Sequence, residues 1–379
     1  MAGGQRRDGG GILPTAAMVS TGVSGSVILA LLPLLVGLLV DRLALPLATA
    51  GDIAGLRMSG ATIGCLLIVP LTRRVDWRLI AGGSLVAILI GNAMSMLVHD
   101  VESLAFWQGV VGLGEGATAI NGAALASSHN PDRGFGVLGC VSLSLGSIGY
   151  FICPRLAESY GLAGLIVPMM LVATIGLLLL RWFPPSGRGE IDPDMPAPGL
   201  LDGRSLLGLL TMGVFFLGLA TIWSCVERVG VWRGYSQVDI GQAVGTLNLI
   251  FGLAGAGLAV VFGNRLGHRF PVVAAMGLSL LSFSLFGIQS WFCYLTAIAL
   301  TFLAWMAAFS FIMGLLAEID GSGRLAVAGL VVQTGCFAAG PALGTRLLGT
   351  GLFGLQLFAI ACSVGAIGLA IVVTARRYP

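Results

Sequence analysis

Apolar residues in this chain do not alternate with polar ones. They run on in stretches of about 20 residues, the length a helix needs to cross the hydrocarbon of a bilayer. Twelve such stretches can be marked, at 17–40, 48–70, 79–98, 103–127, 134–153, 161–182, 205–226, 237–262, 270–288, 292–316, 325–345 and 352–373. Strands of a membrane barrel would be about ten residues long with alternating polarity. The pattern therefore predicts an all-α integral membrane protein with twelve transmembrane helices. Most breaks between the stretches are short. The longest, 183–203, opens Phe183-Pro184-Pro185-Ser186-Gly187-Arg188-Gly189-Glu190 and is rich in Pro, Gly and acids, so it reads as a linker. It divides the chain into an N-terminal six-helix bundle (1–182) and a C-terminal one (204–379).

Landmarks recur across that linker. Val40-Asp41-Arg42-Leu43 returns as Val226-Glu227-Arg228-Val229, Asp52-Ile53 as Asp239-Ile240, Arg74 as Arg265, Arg133 as Arg324 and Pro154 as Pro341, at spacings of 186, 187, 191, 191 and 187 residues. Arg74 and Arg78, four apart, return as Arg265 and Arg269. A fixed period marks a repeat architecture, here two pseudo-symmetric halves. What the halves share is architecture; what only one half has is the better candidate for function.

Composition agrees with the class. The chain is 56% hydrophobic and 10% charged, with mean hydropathy +0.97. All 20 basic residues are Arg. With the N-terminus inside, fourteen arginines fall on the inner side and five on the outer, leaving Arg57 within a helix. The positive-inside rule then places both termini and the linker in the cytoplasm, and the chain in the inner (cytoplasmic) membrane. The apolar run after Arg6 and Arg7 is too long for a signal-peptide core, which predicts a retained first helix. The net charge of +3 follows from this topology and implies no nucleic-acid partner. The seven cysteines all lie in or at the ends of apolar stretches without a C-x-x-C pair, so they read as packing residues. The three histidines lie in loops, no metal-ligand cluster is visible, and no Walker-type phosphate loop occurs. The sequence thus predicts neither an enzyme nor an ATP-driven pump, and calls for no metal or cofactor. The 58 glycines are mostly a means of close helix packing, as Gly112, Gly114, Gly116, Gly146 and Gly149 illustrate.

Two six-helix repeats, a cytoplasmic linker and an Arg-rich turn after helices two and eight resemble the major facilitator superfamily of secondary transporters. The turn of that family runs Asp-Arg-x-Gly-Arg-Arg. Its counterparts here are Arg73-Arg74-Val75-Asp76-Trp77-Arg78 and, more closely, Asn264-Arg265-Leu266-Gly267-His268-Arg269; neither has the acidic lead residue. Helix four is similar to the family's Arg-x-x-x-Gly-x-Gly-x-Gly segment, with Gln108 in the place of the Arg, then Gly112, Gly114 and Gly116. Helix five lacks the antiporter signature, whereas Gly340-Pro341-Ala342-Leu343-Gly344 keeps more of it. The resemblance implies two bundles rocking about a midplane site. It also implies gating roles for Arg74, Asp76, Arg78, Asn264, Arg265 and Arg269, whose pairing would bias one closed state. The plainer reading is that these arginines anchor helix ends at the headgroups.

The charges at depth carry the functional reading. Thr49…Asp52 and Ser236…Asp239 are capping-box patterns that would start helices two and eight. Asp41, Arg42, Glu227 and Arg228 are expected at outer helix ends, either solvated or forming an outer gate. Arg57 lies about 10 Å into helix two, with Val244 as its counterpart. It is either a carboxylate or phosphate ligand or a snorkelling or structurally paired residue. Glu115 lies about twelve residues into a helix of about twenty-five, near the midplane, with Met306 opposite it in the repeat. It is either a proton or cation site or a structural, protonated Glu. Gln108 and Asn121 are its expected hydrogen-bonding companions, and Trp223 and Trp305 either stack on a substrate ring or simply pack. Together these predict a monomeric secondary active transporter of a small organic anion, driven by protons and working by alternating access. Two other classes stay open: an efflux pump for lipophilic, drug-like compounds, and a non-transporting sensor or assembly factor on the same scaffold.

Overall fold

The computed structural model describes residues 11–72, 74–128, 131–186, 202–262, 269–319 and 324–375. Arg73, His129, Asn264, Arg265, His268 and most of the linker (187–201) lie outside the described residues, as do Arg6 and Arg7.

Every long apolar stretch is helical. The first six helices are α1 (Ile12–Leu43), α2 (Leu47–Leu71), α3 (Trp77–Leu97), α4 (Val101–Ala117, continued by Ile120–Ala126), α5 (Pro131–Tyr160) and α6 (Ala163–Leu179, ending in the 3-10 turn Leu180–Trp182). The second six are α7 (Gly203–Trp223, continued by Val226–Trp232), α8 (Gln237–Leu247, the π turn Asn248–Gly252, then Leu253–Phe262), α9 (Arg269–Leu285), α10 (Trp291–Ile319), α11 (Arg324–Thr350) and α12 (Leu352–Ala375). Nine spans among the described residues are long and apolar enough to cross a membrane by length and composition. The protein is an all-α integral membrane protein.

Side chains at the helix starts explain several boundaries. Asp76, Asp100 and Asp202 each accept a bond from a backbone N–H in the first turn, at 2.7 Å, satisfying donors that the helix leaves open. Ser236 does the same for α8, accepting from the Asp239 amide at 3.1 Å and donating to the Asp239 carboxylate at 2.6 Å. The matching expectation for α2 is corrected. That helix starts at Leu47, so Thr49 already lies inside its first turn, and Asp52 turns instead to an arginine described below. Two helices run furthest past the ends of their apolar stretches. α5 continues through Pro154 to Tyr160, since a proline is tolerated where neighbouring helices pack around it. α7 breaks at Ser224 and Cys225 and resumes through Trp232, which makes Glu227 and Arg228 helical.

By contact the residues form two compact units that do not follow the sequence repeat. One unit comprises 1–27, 60–142 and 166–193; the other comprises 28–59, 143–165 and 194–379. The cut passes through α1, α2, α5 and α6. In the first unit α3 packs on α4, and α4 also meets the second stretch of α2 through glycines. A Cβ on Gly116 would sit 1.8 Å from the Ala61 carbonyl oxygen, and one on Gly114 would sit 2.7 Å from that of Ser84. Only a missing side chain lets the backbones come this close. In the second unit α7 packs on α11 and α12, and α9 packs on α10. The unit also contains the adjoining parts of α1, α2 and α5. Gly51 and Gly55 of α2 lie against α11, where added Cβ atoms would fall 2.7 Å from the Pro341 carbonyl oxygen and 2.8 Å from that of Ala338. Gly241 and Gly245 of α8 lie likewise against the Tyr150 and Ser147 carbonyl oxygens of α5, at 2.6 and 2.9 Å. The same four-residue glycine spacing thus serves both contacts.

Candidate functional site

In the first unit α4 carries three of the expected site residues, all buried. Gln108 is 0% exposed, Glu115 3% and Asn121 6%. Gln108 donates through Nε2 to the Ser95 hydroxyl of α3 at 3.0 Å. Thr118 donates to the Glu115 carbonyl oxygen at 2.6 Å, where α4 breaks before Ile120. α1 presents glycines to this face. A Cβ on Gly25 would stand 2.0 Å from the Thr118 hydroxyl and 2.4 Å from the Glu115 carbonyl oxygen, and one on Gly22 would stand 1.9 Å from Asn121 Nδ2. The bare backbone of α1 therefore closes over Glu115, Thr118 and Asn121 with no side chain between. One residue of this unit escaped the sequence reading. Asn92 of α3, in the run Ile88-Leu89-Ile90-Gly91-Asn92, is 0% exposed, and neither its amide nitrogen nor its amide oxygen has a partner.

In the second unit Arg57 is fully buried and among the largest enclosed side chains. Its guanidinium is thus held out of water. Trp223 and Trp305 come together in the same unit. Their ring centroids are 5.8 Å apart, Trp223 meets Phe302 edge-on at 5.0 Å, and Trp305 stacks on Phe337 at 5.1 Å. The Trp223 indole N–H donates to the Leu29 carbonyl oxygen of α1 at 3.0 Å, which fixes the ring and leaves its faces to the aromatic cluster. The sequence reading also missed Asn248. This amide sits in the π turn of α8, 2% exposed, and donates to the Ser147 hydroxyl and the Leu143 carbonyl oxygen of α5 at 3.1 and 3.3 Å. A lone amide in Leu247-Asn248-Leu249-Ile250-Phe251 was the available signal. π turns in helices are frequent at functional positions.

The same unit holds a buried ionic cluster. Arg228 binds Asp41 with both terminal nitrogens, at 2.7 and 2.6 Å, and Glu227 through Nε and Nη2, at 2.6 Å each. Gln237 of α8 donates to Asp41 and, at 3.2 Å, to Glu227. The side chains of Arg228 and Glu227 are 4% and 2% exposed and that of Asp41 33%. The solvated reading of Glu227 and Arg228 is thus corrected: the continuation of α7 past Cys225 carries both inside. Asp52 pairs in a second bidentate contact, with Arg346 of α11 at 2.6 and 2.9 Å, but here both partners are about half exposed.

Of the residues at the turns, Asp76 caps α3 and Arg78 donates to the Phe183 carbonyl oxygen at the end of α6. The Trp77 amide donates to the Pro185 carbonyl oxygen at 2.9 Å, so this turn is tied to the segment after α6. Arg74 and Arg269 are exposed. Among the described residues no three His, Cys, Asp or Glu side chains group as a metal ion would require.

No protein-family model matches the chain, and no curated protein matches it in sequence. Solved structures do match in fold. A variant of the nucleoside transporter NupG aligns with a TM-score of 0.72 at 12% identity, covering 96% of this chain and 99% of that one. A D-xylose–proton symporter aligns at 0.71 and 16% identity, covering 94% and 96%. A bacterial homologue of the human lysosomal transporter Spinster, inward-facing and unoccupied, aligns at 0.59 and 14% identity, covering 96% and 94%. At these identities the likeness is one of fold, and it runs along nearly the whole chain. The chain therefore has the twelve-helix fold of the major facilitator superfamily.

Proposed function

We propose that this protein is a secondary active transporter that moves a small organic anion across the inner membrane by alternating access, driven by protons. The two six-helix bundles, 1–182 and 204–379, would rock about a midplane site, joined by the linker 183–203 and with both termini in the cytoplasm. The observation that carries the reading is Arg57. A permanent cation held at 0% exposure within a membrane helix, and absent from the repeat partner position Val244, fits a carboxylate or phosphate ligand better than a headgroup anchor. Glu115, almost as deeply buried, is the proton carrier in this reading, with Gln108 and Asn121 on the same helix. The solved neighbours, a proton symporter among them, make the mechanism reasonable for the fold. Arg74, Arg265 and Arg269 act as gating residues at the cytoplasmic ends, and the protein works as a monomer.

The Trp223–Phe302–Trp305–Phe337 cluster favours a second reading, export of lipophilic aromatic compounds, in which Arg57 has no ligand role. Thermal stabilisation of the purified protein separates the two. Small organic acids, aromatic acids, sugars and cationic dyes are screened against the parent and Arg57→Ala. Stabilisation by an acid that Arg57→Ala abolishes supports anion transport. Stabilisation by neutral or cationic aromatics that Arg57→Ala leaves intact overturns it in favour of export. No stabilisation by any class overturns both and points to a non-transporting scaffold.

A further inference from the structure

The cluster around Arg228 has a charge balance that neither Arg57 nor Glu115 accounts for. Two carboxylates share one guanidinium. Their four oxygens take bonds of 2.6–2.7 Å from its three nitrogens, and Nη2 is divided between Asp41 Oδ2 and Glu227 Oε1. The same two oxygens also share the Nε2 amide of Gln237. Each of these two donors directs its two N–H bonds about 120° apart, which sets the two oxygens roughly 4–5 Å from each other, and each belongs to an anion. Neutral groups stand near them, and a further cation beyond Arg228, Arg233, faces the Tyr294 ring at 5.9 Å. The Tyr294 hydroxyl of α10 donates to the Val226 carbonyl oxygen and the Tyr150 hydroxyl of α5 donates to that of Ala30, both within electrostatic reach of Glu227, and Cys225 lies at the break of α7 two residues before it. Gly37 of α1 lies flush on the Glu227 carboxylate, since a Cβ there would stand 2.4 Å from Oε2. The assembled cluster thus keeps one negative charge in excess, on a side chain 2% exposed.

We propose that Asp41 and Glu227 form a proton-binding dyad, the two carboxylates around Arg228 holding one proton as a pair, and that this proton locks α1 to α7. Neighbouring carboxylates in one site relieve their repulsion by holding a single proton between them. The dyad exists only while α1 and α7 are together. Drawn apart, Glu227 keeps Arg228, its neighbour in sequence, as a neutral pair, and Asp41 passes into water. The assembled form therefore takes up a proton that the separated form releases. Acid favours assembly, and each proton linked in this way changes the ratio of the two forms by at most about tenfold per pH unit. This locking role rests on the alternating-access reading; the dyad itself does not.

Two measurements on the purified full chain test it. The first follows the infrared carbonyl band of protonated carboxyl groups between about pH 5 and about pH 8. A component lost in both Glu227→Gln and Asp41→Asn, and kept in Glu115→Gln, is the expected result. Its absence from the parent, or survival in both variants, overturns the dyad. Each variant keeps a hydrogen-bonding side chain on Arg228, so a folding failure of one leaves the other to decide. The second measures the distance between spin labels at the exposed positions Leu43 and Phe353, in a cysteine-free background. The short-distance population of the parent rises up to about tenfold per pH unit on acidification, and both variants are flat. A pH response that persists in both variants overturns the lock and leaves alternating access standing. An infrared component with the expected behaviour, beside a distance that no pH or solute changes, overturns alternating access and the lock together and leaves the dyad standing.

Discussion

Val40-Asp41-Arg42-Leu43 and Val226-Glu227-Arg228-Val229 are the two copies of one tetrapeptide, yet their arginines have opposite fates. Arg42 is the last full turn of α1 and is exposed. Arg228 lies in the continuation of α7, 3% exposed, with two carboxylates on it. The difference comes from the backbone. α1 ends at Leu43, where Ala44 turns to φ 52°, whereas α7 breaks at Ser224 and Cys225 and carries its copy on as another two turns of helix. The copies of the next motif diverge too. Asp239 closes a helix start with Ser236, and Asp52 reaches Arg346. A duplicated sequence thus supplies matched parts, and local helix geometry decides which copy becomes an anchor and which remains on the surface.

That contrast can be broken in graded steps, read as unfolding stability in detergent. Arg228→Ala strands the Glu227 carboxylate in the interior and should cost about 3–5 kcal/mol, while Arg42→Ala leaves stability unchanged; equal effects would erase the asymmetry. Gly37→Ala drives a methyl group into a carboxylate that Arg228 and Gln237 hold in place, and should cost roughly 1–3 kcal/mol. Gly83→Ala, where nothing lies within 4 Å, is the control and should be neutral or slightly stabilising. Ser236→Ala removes the cap of α8 and should cost about 1 kcal/mol, whereas Thr49→Ala, in the matching position of α2, should cost less. Smallest is Arg346→Gln, which breaks an exposed pair: its effect should fall below that of Ser236→Ala and shrink further in salt.

The sequence made the fold legible because the bilayer demands continuous apolar helices, and the twelve stretches are those helices with ends shifted by a few residues. The burial of Arg57 and Glu115 was legible for the same reason, as charges well inside such runs. What stayed hidden was contact between distant segments. Nothing near Arg228 in the chain announces Asp41, 187 residues away, and nothing near Asp52 announces Arg346, 294 residues away. Asn92 and Asn248 stayed hidden because, unlike Gln108 and Asn121, they share their helices with no buried charge in the apolar run. Gln108, an expected companion of Glu115, donates to Ser95, a hydroxyl on another helix. Of the residues expected to gate, Asp76 caps its own helix and Arg78 reaches the Phe183 carbonyl oxygen 105 residues away, bonds that a motif comparison does not reveal.

The central claim is proton-driven transport with Arg57 as anion ligand and Glu115 as proton carrier. The most direct test reconstitutes the parent, Arg57→Ala and Glu115→Gln in liposomes and follows uptake of the acid that stabilises the purified protein, with and without an imposed pH gradient. The account predicts that the parent accumulates the acid only with the gradient. It predicts that Arg57→Ala takes up none, and that Glu115→Gln exchanges the acid across the membrane without accumulating it. Gradient-driven accumulation by Glu115→Gln at the parent's level would contradict it.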